Sequence, residues 1–213
     1  MNVTNMTTPL QPSGYLELIL GPMFSGKSTR LVEIYNQCMF CDIPVVAINH
    51  AIDTRYDDEH LSTHDYIKIP CVKASKLSDI WKPDIKGFTD KRCSTAQESG
   101  ACLILKYSKV ILINEGQFFD DLFEVVSDMV RNGKQVYVCG LDGDFQRKKF
   151  GQMLDLVPLC DSVVKLASLC SLCKNGAKGI FSVRLTHETE QTVVGTDYIP
   201  VCRACFHAKH TDA

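Results

Sequence analysis

The most informative residues form the segment GPMFSGKS, from Gly21 to Ser28, which fits the pattern G-x-x-x-x-G-K-[ST]. The glycines let the backbone curl so that successive N–H groups face an anion. The lysine supplies a positive charge, and the serine offers a hydroxyl to Mg²⁺. The pattern therefore predicts a loop that binds the phosphates of ATP. A turn that only joins two elements is the alternative, but the strand pattern before the segment and the helix pattern after it favour the phosphate loop.

Two further candidates, Asn114 and Glu115, lie at the end of the apolar run VILI. P-loop proteins usually place a carboxylate at the end of a neighbouring strand, where it helps to hold Mg²⁺. Asn114 is neutral and a weaker partner for this cation, although its oxygen could contact a metal-bound water. Glu115 could accept the proton of an attacking hydroxyl, a role that a kinase requires. An exposed loop residue is the alternative interpretation of Glu115.

The chain contains 11 cysteines, and this odd number argues against a complete disulfide framework. Three pairs have the C-x-x-C form: Cys38/Cys41, Cys170/Cys173 and Cys202/Cys205. The last two pairs supply four thiolates, which suit a tetrahedral structural Zn²⁺ with no open position. Reduced, unligated cysteines are the alternative. The first pair lies far in sequence from the others, so we predict buried thiols there.

Strand and helix patterns alternate around these residues. YLELIL from Tyr15 has the pattern of a strand, and apolar residues after the loop recur at helical spacing at Leu31, Ile34, Tyr35 and Cys38. A helical stripe also runs through residues 120–132. Further strands are predicted in the runs 43–49, 109–114, 134–140 and 163–169. This alternation predicts an α/β fold with a parallel sheet.

The chain divides into segments at changes of composition. We predict a flexible N-terminal tail (1–14), an ATP-binding α/β domain (15–167), a zinc-binding domain with a substrate-covering loop (168–206) and a C-terminal tail (207–213). Residues 50–65 show no period and are predicted to form a long loop. A short strand near 66–72 and helical fragments near 77–81 and 96–105 are predicted after it.

Composition limits the classes of partner. The 213 residues include 45% hydrophobic and 23% charged residues, as in globular proteins, and 23 basic against 25 acidic residues give a net charge of −2. This balance argues against nucleic acid or an anionic membrane as a partner. The sequence contains no run of 18 apolar residues and its start lacks the pattern of a signal peptide, so we predict a cytoplasmic protein.

Several ordered motifs together resemble a known family. They are GPMFSGKST, DTRY at 53–56, THD at 63–65, EGQFF at 115–119, LDGDFQRKKFG at 141–151, VVKL at 163–166 and the two C-terminal C-x-x-C pairs. In this order they resemble the zinc-containing type II thymidine kinases over roughly residues 15–206. The resemblance implies a RecA-like P-loop core with a parallel sheet, and a small C-terminal zinc-ribbon domain. It also implies transfer of the ATP γ-phosphoryl group to the 5′-hydroxyl of thymidine, giving dTMP and ADP.

The resemblance also implies a role for individual residues, with Glu115 as the proton acceptor. ATP and Mg²⁺ would lie against Gly21, Pro22, Met23, Phe24, Ser25, Gly26, Lys27, Ser28, Asp53, Thr54, Arg55, Asn114, Gly116 and Gln117. Thymidine would lie against Met23, Phe118, Leu141, Phe145, Phe150, Gln191, Thr192, Val193, Val194, Gly195 and Tyr198. Structural Zn²⁺ would be held by Cys170, Cys173, Cys202 and Cys205. In this family the loop at 191–195 reads the base with backbone groups; an ordinary hairpin strand is the alternative.

The chain departs from the family at Asn114, where the family usually has aspartate. We therefore expect Asn114→Asp to raise activity at limiting Mg²⁺, with Ser28 and Asp53 holding the metal in the unchanged chain. Arg55 and Arg147 are candidates for stabilising phosphoryl charge, with surface positions as the alternative.

Three rival functions remain open from the sequence: a RecA-like ATPase acting on nucleic acid, a catalytically impaired nucleotide-binding regulator and a zinc-ribbon interaction module. Similar proteins form homotetramers and are inhibited by dTTP, so we expect both properties.

Overall fold

The computed structural model describes residues 13–53, 60–62, 67–82, 100–186, 190–191 and 197–211. The strands are β1 (Tyr15–Leu20), β2 (Val45–His50), β3 (His60–Ser62), β4 (Lys68–Ala74), β5 (Val110–Asn114), β6 (Gln135–Gly140), β7 (Ser162–Lys165), β8 (Ser168–Leu169), β9 (Lys178–Gly179), β10 (Phe181–Arg184) and β11 (Tyr198–Val201). The helices are α1 (Lys27–Phe40), α2 (Gly100–Tyr107), α3 (Leu122–Arg131) and α4 (Arg203–Thr211). Short 3₁₀ helices span Leu77–Asp79, Gly116–Phe118 and Met153–Leu159.

A seven-stranded sheet with the order β3-β4-β2-β5-β6-β1-β7 forms the centre of the molecule. Every pairing in it is parallel except that of β3 with β4. Parallel strands are covered on both faces, which explains why their sequences are nearly continuous apolar runs. All five residues of β5 are buried. The predicted α/β fold with a parallel sheet is confirmed.

Alternate side chains of β1 enter two separate layers of the core. Leu16, Leu18 and Leu20 face the layer that contains Val126 and Met129 of α3. Ile19 faces the opposite layer, where it packs with Leu31 and Ile34 of α1. Full burial of one such side chain contributes about 2 kcal/mol relative to exposure. The two layers therefore fix α1 and α3 on opposite faces of the sheet.

The C-terminal residues 168–186 and 197–211, which we call the C-terminal unit, form two antiparallel pairs, β8–β9 and β10–β11. A small apolar cluster that includes Val183, Val201 and Phe206 packs together with the cysteines. The rings of Phe181 and Phe206 lie 5.1 Å apart. The C-terminal unit thus has its own small core.

Two local predictions differ from the structure. The long loop predicted over residues 50–65 contains β3, which is short and pairs antiparallel at the edge of the sheet, so three residues give no visible period. Residues 207–211, predicted as part of a tail, continue α4. The predicted N-terminal tail lies outside the described residues up to position 12. Among the helices that the structure describes, none is long and apolar enough to cross a membrane.

Candidate active site

The phosphate loop joins the end of β1 to the start of α1 and depends on its two glycines. A Cβ at Gly21 would lie 2.8 Å from the backbone oxygen of Leu166, so a larger residue would displace the backbone just after β7. Gly26 has φ of 85°, a left-handed conformation that glycine adopts at little cost. Lys27 begins α1, and its Nζ donates to the backbone oxygen of Pro22 at 2.7 Å. The lysine therefore folds back across the loop.

One atom of this loop indicates that it accommodates a polar ligand. The hydroxyl oxygen of Ser25 is buried and has no hydrogen-bond partner among the described residues. An unpaired buried hydroxyl costs about 1 to 3 kcal/mol, so it is expected where a ligand supplies the partner. Together with the cradle that a Cβ at Gly21 would fill, this atom fits the predicted phosphate site.

A chain of side-chain hydrogen bonds runs from the phosphate loop across the ends of the central strands. Ser28 Oγ donates to Asn114 Oδ1 at 3.4 Å, and Asn114 Nδ2 donates to Asn49 Oδ1 at 2.9 Å. Asn49 Nδ2 then donates to Asp53 Oδ2 at 3.2 Å. The structure thus brings together three predicted residues, Ser28, Asn114 and Asp53, through Asn49. We call these four residues the amide relay.

Sequence reasoning missed Asn49, and it also missed the role of Cys139. Asn49 lies directly opposite Asn114 in the pairing of β2 with β5. A polar residue near the end of an apolar run was the available signal. The thiol of Cys139 donates to Asn114 Oδ1 at 2.9 Å, and complete burial raises the pKa of this thiol to about 12. Cys139 is therefore a neutral hydrogen-bond donor at neutral pH.

Glu115 follows β5 and has a strained backbone. Its φ of 54° and ψ of 42° are left-handed, a conformation that costs a non-glycine residue about 1 to 3 kcal/mol and is frequent at functional sites. Gln117 Nε2 donates to Glu115 Oε2 at 2.6 Å, and Gln117 Oε1 accepts from the N–H of Leu141 at 3.0 Å. The side chain of Gln117 therefore orients the carboxylate and ties the end of β5 to the end of β6.

A cavity of about 240 Å³ is lined in part by Gln117, whose side chain bonds the carboxylate of Glu115. Its lining residues are His50, Ile52, Gln117, Phe118, Asp120, Phe150, Gly151 and Gln191. The rings of Phe118 and Phe150 meet edge to face with centroids 5.6 Å apart. Of the residues predicted to bind thymidine, Phe118, Phe150 and Gln191 are brought together here. Aromatic walls with a few polar groups suit a flat ligand.

His50 was not predicted as part of the site because it ends an apolar strand. Its ring lies 4.6 Å from that of Phe119 and 5.7 Å from that of Phe118. Its Nδ1 accepts from the N–H of Ile52 at 3.1 Å. Burial lowers the pKa of His50 despite nearby carboxylates, so the ring is a neutral wall of the cavity at neutral pH.

Among the described residues, the other predicted nucleoside residues do not line the cavity, and they make other contacts. The N–H of Met23 donates to Ser182 Oγ at 3.0 Å, which links the phosphate loop to β10. Leu141 bonds Gln117 through its backbone. Phe145 and Tyr198 lie against the side chain of Arg184. Four predicted residues, Thr192, Val193, Val194 and Gly195, fall outside the described part of the chain.

Of the two arginines predicted to stabilise phosphoryl charge, Arg147 lies in the described part of the chain. Thr54 and Arg55 are outside the described residues. Arg147 has φ of 65°, and its guanidinium carbon lies 4.4 Å from the ring centroid of Phe206 in the C-terminal unit. The turn directs Arg147 onto an aromatic face, so its position favours a structural cation–π contact.

The cysteines separate into two kinds of site. The sulfur atoms of Cys170, Cys173, Cys202 and Cys205 all lie within 4.8 Å of one another. Four thiols this close are compatible with a structural zinc. The other pair differs from its prediction in part. Cys38 is buried, as predicted, but Cys41 is exposed because α1 ends beside it.

The parallel sheet, the phosphate loop after β1 and the carboxylate after β5 define a P-loop nucleotide-binding protein, and a cavity lies at the segment that follows β5. Comparison with known proteins gives the family. The family model "Thymidine kinase" matches residues 14–206.

Similar proteins match over most of this chain. "Thymidine kinase, cytosolic" of Gallus gallus is 38% identical over 204 residues, which cover 95% of this chain and 81% of the relative. "Thymidine kinase, cytosolic" of Cricetulus griseus is 39% identical and covers 98% and 82% respectively. "Thymidine kinase" of Vaccinia virus (strain Western Reserve) is 38% identical and covers 91% and 97%. The chain therefore belongs to the thymidine kinase family and is an ATP-dependent phosphotransferase.

Proposed function

We propose that this protein transfers the γ-phosphoryl group of ATP to the 5′-hydroxyl of thymidine, giving dTMP and ADP. Membership of the thymidine kinase family supports this function. The structural observation that carries it concerns Gln117, which lines the cavity and also donates to Glu115. A hydroxyl of a ligand in the cavity could therefore come close to a carboxylate at the edge of the phosphate site.

On the ATP side, we propose that the loop from Gly21 to Ser28 holds the phosphates. Lys27 would move from the backbone oxygen of Pro22 to the phosphate oxygens, and Ser25 would gain the partner it lacks among the described residues. Ser28 and Asp53 of the amide relay would hold Mg²⁺. When bound, this cation offsets negative charge on the phosphoryl oxygens. We keep Thr54 and Arg55, outside the described residues, in the proposed ATP site.

On the nucleoside side, the rings of Phe118 and Phe150 would contact the base, and Gln191 would close one wall. Met23, Leu141, Phe145 and Tyr198 would complete the surroundings, and backbone groups at 192–195 would read the base. A wrong base leaves buried polar atoms unpaired, which penalises it strongly. Neutral His50 adds an aromatic wall without adding charge.

Glu115 would accept the proton of the 5′-hydroxyl as the oxygen attacks phosphorus, which makes it the proposed catalytic residue. The hydrogen bond from Gln117 holds the carboxylate in place. The strained backbone of Glu115 is consistent with a position set by function.

We further propose that Cys170, Cys173, Cys202 and Cys205 hold structural Zn²⁺, and that residues 168–206 act as a zinc-binding domain. A closed four-thiolate site would stabilise the C-terminal unit and leave chemistry to other groups. A homotetramer, inhibition by dTTP and a cytoplasmic location are proposed from the resemblance. Two relatives with "cytosolic" in their names support the location.

One assay tests the function. The purified protein is incubated with ATP, Mg²⁺ and labelled thymidine, and products are separated. We expect dTMP and ADP in equal amounts. ADP formed only with added DNA would instead indicate a nucleic-acid ATPase, and unchanged ATP would indicate a regulator or interaction module.

Glu115→Gln tests the proton acceptor. We expect the rate of dTMP formation to fall by at least about 100-fold while ATP binding stays measurable. Glu124→Gln, on the exposed side of α3, is the matched control and should leave the rate unchanged. Full turnover by Glu115→Gln would remove Glu115 from the proposed role.

A further inference from the structure

Arg184, the last residue of β10, is only 6% exposed although its side chain is charged. Within the described part of the chain, its guanidinium donates to one phenol oxygen and two backbone oxygens. Nε and Nη2 bond the phenol oxygen of Tyr198 at 2.9 and 2.6 Å. Nη1 bonds the backbone oxygen of Glu190 at 2.6 Å, and Nη2 bonds that of Gln191 at 3.1 Å. Because a buried charge is costly, these hydrogen bonds contribute to offsetting the cost of removing the guanidinium from water.

The same guanidinium also lies against aromatic rings. Its central carbon is 3.9 Å from the ring centroid of Phe145 and 5.2 Å from that of Tyr198. Phe145 belongs to the segment 141–150, which ends in the cavity wall residue Phe150. One side chain therefore contacts three segments at once: β11, residues 190–191 and the segment 141–150.

Gln191 is held from two sides. Arg184 bonds its backbone oxygen, and its side-chain Nε2 donates to Asp144 Oδ2 at 2.8 Å and to the backbone oxygen of Lys149 at 3.3 Å. Gln191 in turn lines the cavity. The position of Gln191 in the cavity wall therefore depends on Arg184, which does not itself line the cavity among the described residues.

We propose that Arg184 is a positioning residue for nucleoside binding. It sets the location of Gln191 and Tyr198 at the nucleoside site through its planar fork of donors. This inference rests on the proposed function, because it assigns the cavity to the nucleoside. ATP binding depends on the loop at 21–28, which lies outside this set of contacts.

A lysine at position 184 keeps the charge but cannot bond a phenol and two carbonyl oxygens in one plane. We expect Arg184→Lys to raise KM for thymidine by about 10- to 100-fold. KM for ATP should change less than about threefold, and kcat should fall less than KM rises. Arg131→Lys, at an exposed position on α3, is the matched control and should change none of these constants.

Tyr198→Phe is a second variant that removes only the phenol oxygen and keeps the ring. We expect a smaller rise in KM for thymidine, about 3- to 10-fold, again without a matching change for ATP. It also decides the question if Arg184→Lys does not fold, as judged by circular dichroism. In both variants, the thymidine concentration that gives half of the maximal rise in melting temperature should increase in parallel with KM.

The outcomes separate this inference from the proposed function. If the wild-type protein forms no dTMP, the proposed function fails and Arg184 loses its assigned substrate. If the wild-type protein forms dTMP and the folded variants show unchanged KM for thymidine, only the inference about Arg184 is wrong. An equal rise in KM for both substrates would indicate a general structural role and would also overturn it.

Discussion

Asn114→Asp places a second carboxylate at the amide relay, and the structure indicates what this change costs. Asn49 Oδ1 accepts from Asn114, while Asn49 Nδ2 donates to Asp53. An aspartate at position 114 replaces the donor with an oxygen that faces Asn49 Oδ1. Turning the Asn49 amide over would satisfy the new carboxylate but would direct Oδ1 at Asp53. One amide in this geometry cannot donate to both carboxylates.

The magnitude follows from burial. Asn49 and Asn114 are each 3% exposed and Asp53 is 5% exposed, so water cannot replace the lost hydrogen bond. A buried unsatisfied polar contact costs about 1 to 3 kcal/mol. We therefore expect the ligand-free variant to lose about 2 kcal/mol of unfolding free energy, or about 4 to 8 °C in melting temperature for a chain of this size. The added carboxylate should lower the Mg²⁺ concentration for half-maximal activity by about tenfold.

A double-mutant cycle isolates the contact. Wild type, Asn114→Asp, Asn49→Ala and the double variant are unfolded in urea without ligands. Asn49→Ala should destabilise the wild type but have little effect in the Asn114→Asp background. In that background the substitution also removes Asn49 Oδ1, the oxygen that faces the new carboxylate. The coupling energy should be about 2 kcal/mol. The bond from Asn49 to Asp53 is lost in both backgrounds and cancels.

Two results would refute this reasoning. Effects that add to within about 0.5 kcal/mol would show that the contact between Asn49 and residue 114 does not set the cost. Initial rates measured against Mg²⁺ at saturating ATP form the second test. An unchanged Mg²⁺ titration in Asn114→Asp would show that residue 114 does not limit metal affinity.

Two further predictions concern stability. Cys202→Ser should release zinc, measured by metal analysis, and should lower the melting temperature, whereas Cys41→Ser at an exposed position should do neither; retained zinc would contradict the proposed site. Burial alone would raise the pKa of Asp121, but hydrogen bonds from the N–H groups of Ser78 and Leu77 outweigh it and lower the pKa. A depressed pKa stabilises the fold above the unfolded value near 4, and this contribution is lost as the pH falls through the folded pKa. Asp121→Asn should therefore be less stable than wild type at pH 7, and the difference should shrink towards pH 3; urea unfolding that shows a constant difference would contradict this.

The phosphate loop and the sheet could be predicted because their signals are local. Gly21 to Ser28 form one continuous pattern, and β1, β2, β5 and β6 are each a largely apolar run. The position of Glu115 could also be predicted, because this residue directly follows the apolar run that forms β5. These features need no knowledge of which strands are neighbours.

Asn49 and His50 could not be predicted because their roles depend on the pairing of distant strands. Asn49 meets Asn114 only because β2 lies beside β5 in one register. The roles of Arg147 and Arg184 likewise depend on tertiary packing and could not be predicted from the sequence. Neither belongs to a pattern that identifies its partners, and tertiary packing places Arg147 against Phe206 and buries Arg184.

The hydrogen bond from the N–H of Met23 to Ser182 connects two binding regions through a single strand, because Ser182 and Arg184 both belong to β10. A ligand that moves the backbone at Met23 therefore acts on β10 at Ser182, two residues before Arg184. Thermodynamic linkage makes such an effect reciprocal. We therefore expect any synergy between the two substrates that this contact carries to stay within about threefold, with each substrate tightening the other by the same factor.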